Sequence, residues 1–449
     1  MRDLAFIGFL LALLATGFKR PFLFVLAYVY IDIVSPQRLT YFLLNAVPIS
    51  LIAVALAVLG WVVADDKRDS RFAPRQALIV VLLLYCWATT TAADFPVEAQ
   101  EKWDWVWKAL AFAAFLPLTL RTRLRIEALL LFMVISAASI IIVGGIKTLA
   151  SGGGYGQLNL MVDNNSGLYE GSTISAVAVA IVPVLMWFTK YGTIFKPDWR
   201  VKTFAYALAF ACLLIPVGTS TRTGLLCIVL LGIMFVRVAK RKLLYIGLMA
   251  AASVMAVPFL PSAFSERMGT IQGYQGDESA STRLAVWKWT MDFAKTHPFG
   301  GGFEAYRQNK IRIDIVRRDG AGTRNAAEFD QARAYHSAYF EMLGEQGYPG
   351  LILWLAINLA GLVRMEVLRR RYADPAGPYA WAGQLASALQ MGHAVYLLGA
   401  AFIAIAFQPF IYMLIGAQIG LDTYRTRKRA GETYRGMRKV SPAPAPPVA

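Results

Sequence analysis

The chain is a succession of apolar runs joined by short polar connections, and one long polar segment interrupts it. A membrane-spanning helix needs about 20 predominantly apolar residues, so the shorter runs must include flanking residues or cross only in part. The pattern predicts an all-α polytopic membrane protein with 12 or 13 transmembrane helices, with the parity open at the two termini. The apolar runs lie near residues 4–18, 22–34, 43–64, 76–93, 105–120, 126–147, 171–189, 203–217, 224–236, 243–260, 350–363, 381–401 and 403–421.

The long polar segment divides the chain into four predicted parts. Residues 1–260 form an N-terminal transmembrane bundle, and residues 261–348 form a loop that we expect to be helical. Residues 349–424 return to the membrane, and residues 425–449 form a tail that is first basic and then rich in Pro and Ala. Loops positioned by a rigid scaffold often carry function, so the loop is the expected place for a catalytic site.

The distribution of basic residues predicts which ends of the helices face the cytoplasm. The chain is 57% hydrophobic and 16% charged, with a mean hydropathy of +0.49 and a net charge of +17. Alternate short connections and the C-terminal tail together hold 28 of the 45 Lys and Arg residues, against six in the other short segments, which is the asymmetry expected of cytoplasmic loops. The long loop then lies on the outer face. The positive charge suits anionic membrane lipid, and nucleic acid is the poorer interpretation.

Cysteine and glycine patterns argue against several other site types. Cys86, Cys212 and Cys227 lie in apolar runs without paired spacing, which predicts buried, unpaired side chains. Three scattered histidines without an acidic cluster predict no metal site. The glycine-rich stretch from Ser151 to Tyr155 lacks the preceding strand of a phosphate-binding loop, so we interpret it as an outer turn.

Two arginines stand out on the outer face. Arg222 lies in the tight connection from Gly218 to Gly224, where a charge is costly and often functional, although it could also extend to lipid phosphate. Arg283 follows Ser281, a candidate helix N-cap, and is predicted in the first helical turn. A cation there opposes the helix dipole, so a bound anion would help; a solvated charge is the alternative.

Histidine and lysine supply the other candidates. His336 lies in a helical pattern that ends at Gly347, and an imidazole just above the bilayer suits a general base, with a structural role as the alternative. His297 is expected to cap or pack a helix end, and His393 to sit between helices. Lys108, inside the outer end of a span, is a secondary candidate for anion contact.

One base and two arginines on an outer membrane face suit a substrate that contains phosphate. Guanidinium groups bind phosphate oxygens through bidentate, charge-assisted hydrogen bonds. ATP and sugar nucleotides are not expected outside the cytoplasm, so the phosphate is expected to arrive on a lipid.

Two sets of motifs occur in order along the chain, from the first residues to about Leu421. The first set is Thr219-Ser220-Thr221-Arg222-Thr223-Gly224, Ser281-Thr282-Arg283 with Trp287, His297-Pro298-Phe299-Gly300-Gly301-Gly302-Phe303, His336-Ser337-x-Tyr339-Phe340 and Glu345-x-Gly347-Tyr348-Pro349-Gly350-Leu351. The narrower set is Met1-Arg2-Asp3-Leu4, Arg20-Pro21-Phe22, Ser35-Pro36-Gln37-Arg38-Leu39-Thr40 and Glu266-Arg267-Met268-x-Thr270-Ile271. The first set resembles the bacterial O-antigen ligase superfamily, and the narrower set resembles the O-glycosylation ligases associated with exosortase A systems.

The resemblance implies a GT-C-like, inverting glycosyltransferase that needs no metal or other cofactor. Its donor would be a glycan linked to undecaprenyl diphosphate, and its acceptor a hydroxyl of lipid A core or of a secreted protein. It would be a multi-pass protein of the bacterial inner membrane with a periplasmic site. By this resemblance His336 deprotonates the acceptor, while Arg222 and Arg283 hold the diphosphate. The Thr221-Arg222-Thr223-Gly224 stretch departs mildly from the family pattern and keeps the arginine.

Two other functions fit parts of the pattern. An O-antigen polymerase would use the same donor and extend another lipid-linked repeat. A transporter or lipid flippase would place its charges along a path between helices, whereas the notable charges here are expected outside the membrane.

Overall fold

The structure, a computed structural model, describes residues 2–40, 44, 47–67, 70–151, 168–256, 278–319 and 322–440. These residues are mostly helical, with one short 3₁₀ turn and one β-hairpin. The helices are α1 (Arg2–Gly17), α2 (Phe22–Val34), α3 (Pro36–Leu39), α4 (Ile49–Ala64), α5 (Pro74–Thr91), α6 (Pro96–Thr119), α7 (Arg123–Ser151), α8 (Gly171–Tyr191), α9 (Trp199–Gly218), α10 (Arg222–Val238), α11 (Lys242–Ala256), α12 (Glu278–Thr296), α13 (Ala338–Arg371), α14 (Ala380–Ala400) and α15 (Pro409–Val440).

The helices confirm an all-α polytopic membrane fold. Among the described residues, four helices are long and apolar enough to cross a membrane, within α7, α8, α9 and α13. Four shorter apolar helices or helix segments lie within α1, α2, α4 and α11. The total of 12 or 13 spans stays a prediction. The glycine-rich Ser151–Tyr155 turn and the Pro/Ala-rich end of the tail lie largely outside the described residues.

Small residues let α8 and α14 approach closely at the centre of the bundle. Most of α8 is buried, and it packs on α9, α10 and α14. Gly392 of α14 lies against the Ala180 carbonyl, and a Cβ at Gly399 would come 2.7 Å from the Cβ of Ala176. Such small-residue contacts are how helices associate inside a membrane, where helix association lacks a hydrophobic driving force. All three cysteines are buried and unpaired, as predicted.

Predicted cytoplasmic basic residues gather at one end of the bundle. Asp422 of α15 binds Arg75 of α5 and Arg364 of α13, at 3.2 and 2.9 Å. Asp65 binds Arg125 at the start of α7. The long polar loop lies at the other end, where its backbone meets the α5–α6 connection. The opposite placement agrees with the charge pattern; which end faces the periplasm stays a prediction.

The loop is not wholly helical, which corrects the prediction. After α12 comes a 3₁₀ turn (Ala305–Gln308) and then an antiparallel hairpin of β1 (Lys310–Asp319) and β2 (Gly322–Gln331). The register pairs Lys310 with Gln331 and Asp319 with Gly322. Isoleucines at 311, 313 and 315 carry the two-residue period of a strand, a local signal that the helical interpretation overlooked.

Candidate active site

The α9–α10 junction places Arg222 at the loop end of the bundle. Thr221 is the N-cap of α10 and Arg222 is its first residue. The side-chain oxygens of Ser175, Thr219 and Thr221 lie 2.9–3.0 Å from one another in a buried hydrogen-bonded cluster. Ser220 between them has a φ of 50°. This cluster fixes the junction to α8, and the Arg222 Nε is buried beside it.

Glu170 caps α8 next to this junction. Its carboxylate accepts hydrogen bonds from the Ser172 and Thr173 backbone N–H groups. Gly171 packs on Thr219, since a Cβ there would meet the Thr219 Cβ at 3.3 Å. The N-termini of α8 and α10 therefore lie side by side. Glu170 already supplies the negative charge at the α8 N-terminus, so the α10 N-terminus is the part of this corner that suits an anion.

His336 lies outside α13, which corrects its predicted position within a helix. Ser337 is the N-cap and the helix begins at Ala338. His336 has a φ of 49°, and its residue is open to solvent. Left-handed backbone is uncommon for a residue other than glycine and clusters at functional sites. The conformation separates the exposed imidazole from the buried Tyr335 and Ser337 on either side of it.

Trp287 fastens α12 to the backbone beside His336. Its indole Nε1 donates to the Tyr335 carbonyl at 2.9 Å. Its ring stacks on Phe340, with centroids 4.9 Å apart and planes 9° from parallel. Arg283 lies four residues before Trp287, on the same face of α12. Arg283 therefore lies one helical turn before the residue that contacts the backbone beside His336.

Burial and surrounding charges lower the pKa of His336. Partial burial lowers the pKa of His336 below its ordinary 6.5, and the positive charge of Arg283 lowers it further. Arg333 acts in the same direction, whereas Glu170 opposes it. The imidazole is therefore neutral at pH 7 and can accept a proton. Glu170, whose charge acts on His336, lies at the same α8–α10 corner as Arg222.

Arg283 occupies a different helical position from the one predicted. The helix starts at Glu278, so Arg283 falls in its second turn and Ser281 is not the N-cap. The helix-dipole argument for an anion at Arg283 therefore fails. The predicted helix end is confirmed, because α12 stops at Thr296, directly before His297. Proximity to His336 now gives the stronger reason to consider Arg283.

Comparison with protein families identifies the segment that contains these residues. Residues 207–355 match the family described as O-Antigen ligase, and residues 1–193 match a family of unknown function, DUF5935. The O-antigen ligase match spans residues 207–355 of the 449 and supports that superfamily for this part of the chain. Arg222, Arg283 and His336 all fall within the O-antigen ligase match. No protein of curated function matches the chain. The exosortase-associated subgroup stays a prediction.

Lys108 is not brought to this candidate site by any described contact. It lies on α6, where its charge acts on Asp32 of α2. The ring of His297 stacks on Phe293, with centroids 4.2 Å apart, which is the predicted packing role. His393 is buried between Asn358 of α13 and Gln418 of α15, at 2.9 and 3.0 Å, and is the predicted inter-helix histidine.

A buried charge cluster that the sequence analysis missed anchors the start of α13. Lys102 Nζ lies 2.7 Å from Glu341 and 2.9 Å from both carboxylate oxygens of Glu345. Glu341 also accepts from the Ala406 N–H, and Glu345 from the Glu304 N–H. Glu341 belongs to the first turn after His336. The cluster therefore fixes the helix that carries the candidate base.

Glycines join the loop to α13 at a break in the helix. Gly347 has φ 64° and ψ −166°, a conformation that essentially only glycine adopts. The break leaves the Gly344 and Glu345 carbonyls unpaired within the helix, and the N–H groups of Gly301 and Gly302 bind them at 3.0 and 2.9 Å. The predicted end of helical pattern at Gly347 is confirmed. The glycine-rich turn after α12 thus docks on the helix next to the site.

Proposed function

We propose that the chain transfers a glycan from undecaprenyl diphosphate to an acceptor hydroxyl on the periplasmic face of the inner membrane. Its O-antigen ligase family indicates a glycosyl-transferring enzyme that uses a lipid-linked donor. The donor, the acceptor hydroxyl and the roles of individual residues are our proposals. The observation that supports them most directly is the exposed His336, whose pKa the charge of Arg283 lowers and whose neighbouring backbone Trp287 binds.

In the proposed reaction, the neutral His336 ring takes the proton of the acceptor hydroxyl. The oxygen attacks the anomeric carbon of the donor from the face opposite the diphosphate, and the bond from that carbon to the diphosphate oxygen breaks. The products are the glycosylated acceptor with inverted configuration and undecaprenyl diphosphate. The proton leaves His336 for solvent, which reaches the exposed ring.

Arg222 and Arg283 are proposed to hold the diphosphate. Negative charge grows on the leaving oxygen as the sugar departs, and fixed guanidinium groups stabilise that charge more than the ground state. Arg222 adds the N-terminus of α10 to the same corner. The reaction as proposed requires no metal ion.

Reconstituted protein supplied with undecaprenyl-diphosphate-linked glycan and candidate acceptors tests the proposal. General base catalysis contributes typically 10²- to 10⁴-fold, so His336→Ala should lose at least about a hundredfold in rate. His297→Ala is the matched control and should keep wild-type rate, because its ring packs on Phe293 and bonds to the Thr296 hydroxyl, with no described contact to His336. Full activity of His336→Ala would refute the role of the base. Product mass would distinguish transfer to a distinct acceptor from extension of a second lipid-linked repeat, the polymerase reaction.

A further inference from the structure

A large cavity lies at the bundle end opposite His336, between α11 and the helices α8, α9, α10, α13 and α14. Its volume is about 1220 Å³. Small-molecule sites typically occupy about 300–1,000 Å³, so this space exceeds an ordinary metabolite site. The cavity shares no residue with the candidate active site. We therefore consider what fills it.

Helix α11 stands away from the bundle and leaves this space open. It packs chiefly on α10, where a Cβ at Gly232 would collide with the Met249 side chain. The first part of α11 is exposed on all sides, including Leu243 and Leu248. An apolar helix with no polar face is suited to lipid. The gap behind α11 therefore opens to the acyl region of the bilayer.

The walls of the cavity are apolar and aromatic. Met186 and Met391 line its inner side, and Leu244, Tyr245 and Met249 line the side formed by α11. Flexible methionine side chains fill irregular contacts and adapt to different partners. Such walls suit hydrocarbon chains better than a water-soluble ligand.

The rim of the cavity is basic. Lys190 ends α8, and Lys240 and Arg241 form the connection between α10 and α11. None of the three forms an ion pair with another described residue. Arg237 and Arg369 complete the rim, and both bind Glu366 at 2.7 Å. The shared carboxylate fixes these two arginines and leaves the rim strongly positive.

We propose that this cavity binds an anionic glycerophospholipid of the cytoplasmic leaflet, with its acyl chains between α11 and the bundle and its phosphate at the basic rim. Basic pockets between transmembrane helices on the cytoplasmic side favour acidic head groups. Lys190 and the Lys240–Arg241 connection come from different parts of the chain, so a bound phosphate would hold α11 against α8. This site is independent of glycan transfer.

Native mass spectrometry of the detergent-purified chain tests the site without an activity assay. Phosphatidylglycerol and phosphatidylcholine with identical acyl chains are the probes. Each basic residue near an acidic lipid contributes about fivefold in affinity, so Lys190→Gln, Lys240→Gln and Arg241→Gln together should weaken phosphatidylglycerol binding about a hundredfold. The wild-type chain should retain phosphatidylglycerol and release phosphatidylcholine.

A matched variant separates this site from general surface charge. Lys196→Gln, Arg200→Gln and Lys202→Gln remove three charges from the same predicted face, outside the cavity, and should leave phosphatidylglycerol binding unchanged. Ala388→Phe keeps the rim and fills the cavity, and should displace the lipid. Size-exclusion profiles serve as the control that each variant is folded. Equal binding of the two lipids, equal loss in both triple variants, or undiminished binding by the rim variant would each overturn the proposal.

Discussion

The Lys102 cluster gives the sharpest prediction about stability. Lys102→Met keeps most of the length of the side chain and removes its charge, which leaves Glu341 and Glu345 buried without the cation. At 2.7–2.9 Å each ion pair is worth roughly 6 kcal/mol of attraction with an effective dielectric of about 20, before desolvation is subtracted. Removing one partner of a buried pair costs about 3–5 kcal/mol. We therefore expect a clear fall in the free energy of unfolding.

The assay is thermal unfolding of purified protein, followed by tryptophan fluorescence and by recovery of monodisperse protein. Lys295→Met is the control, because Lys295 forms an exposed pair with Asp292 and such pairs contribute little. Adding Glu345→Gln to Lys102→Met should recover part of the loss, since an amide needs no counter-charge. A Lys102→Met protein with the wild-type melting temperature would refute the anchoring role. Glycan transfer should fall with stability, because Glu341 lies one turn beyond His336.

Three further predictions concern the site and its support. Trp287→Phe should retain stacking on Phe340 but lose the hydrogen bond to the Tyr335 carbonyl, which costs about 1 kcal/mol of stability. It should also slow transfer, because Arg283 is positioned less well. Unchanged kinetics would contradict the positioning role of Trp287. Gly347→Ala should destabilise the protein by more than about 1 kcal/mol, because its φ is positive and a Cβ would strike Pro298 and Gly300. Gly247→Ala is the control and should be tolerated, because a Cβ there meets open space. Equal melting temperatures of the two variants would contradict a structural need for glycine at the helix break. Since the pKa of His336 lies below 6.5, kcat/KM should stay level at pH 7 and fall only on acidification. Glu170→Gln removes a charge that raises this pKa, so the fall in kcat/KM should move to lower pH. Movement to higher pH would contradict the assignment of His336 as the base.

Local sequence patterns predicted much of the fold. The apolar runs and their basic connections indicated a helical membrane bundle with its polar loop at the opposite end. The stop after Thr296 and the break at Gly347 followed from His297-Pro298 and from the Gly-x-Pro pattern. The Arg222 junction was also predicted, because a charge between two apolar runs is conspicuous in the sequence.

The remaining features depend on contacts between distant residues. Lys102 is separated from Glu341 and Glu345 by 239 and 243 positions, so no local pattern could pair them. The helix that carries Arg283 is joined to the backbone beside His336 because Trp287 binds the Tyr335 carbonyl, a tertiary contact that helix-capping signals do not report. The left-handed backbone at His336 has no distinct sequence signal. The β-hairpin did have one, the alternating isoleucines of β1.

Undecaprenyl diphosphate binding tests most directly whether two arginines and one histidine share a lipid-linked substrate. Equilibrium binding to the reconstituted protein should weaken at least about tenfold in Arg222→Gln and in Arg283→Gln, since each removes charge-assisted hydrogen bonds to phosphate. His336→Ala should bind the lipid normally while losing transfer, and Arg333→Gln, which alters an exposed arginine paired with Asp330, should bind normally. Wild-type affinity in both Arg222→Gln and Arg283→Gln would contradict the shared site.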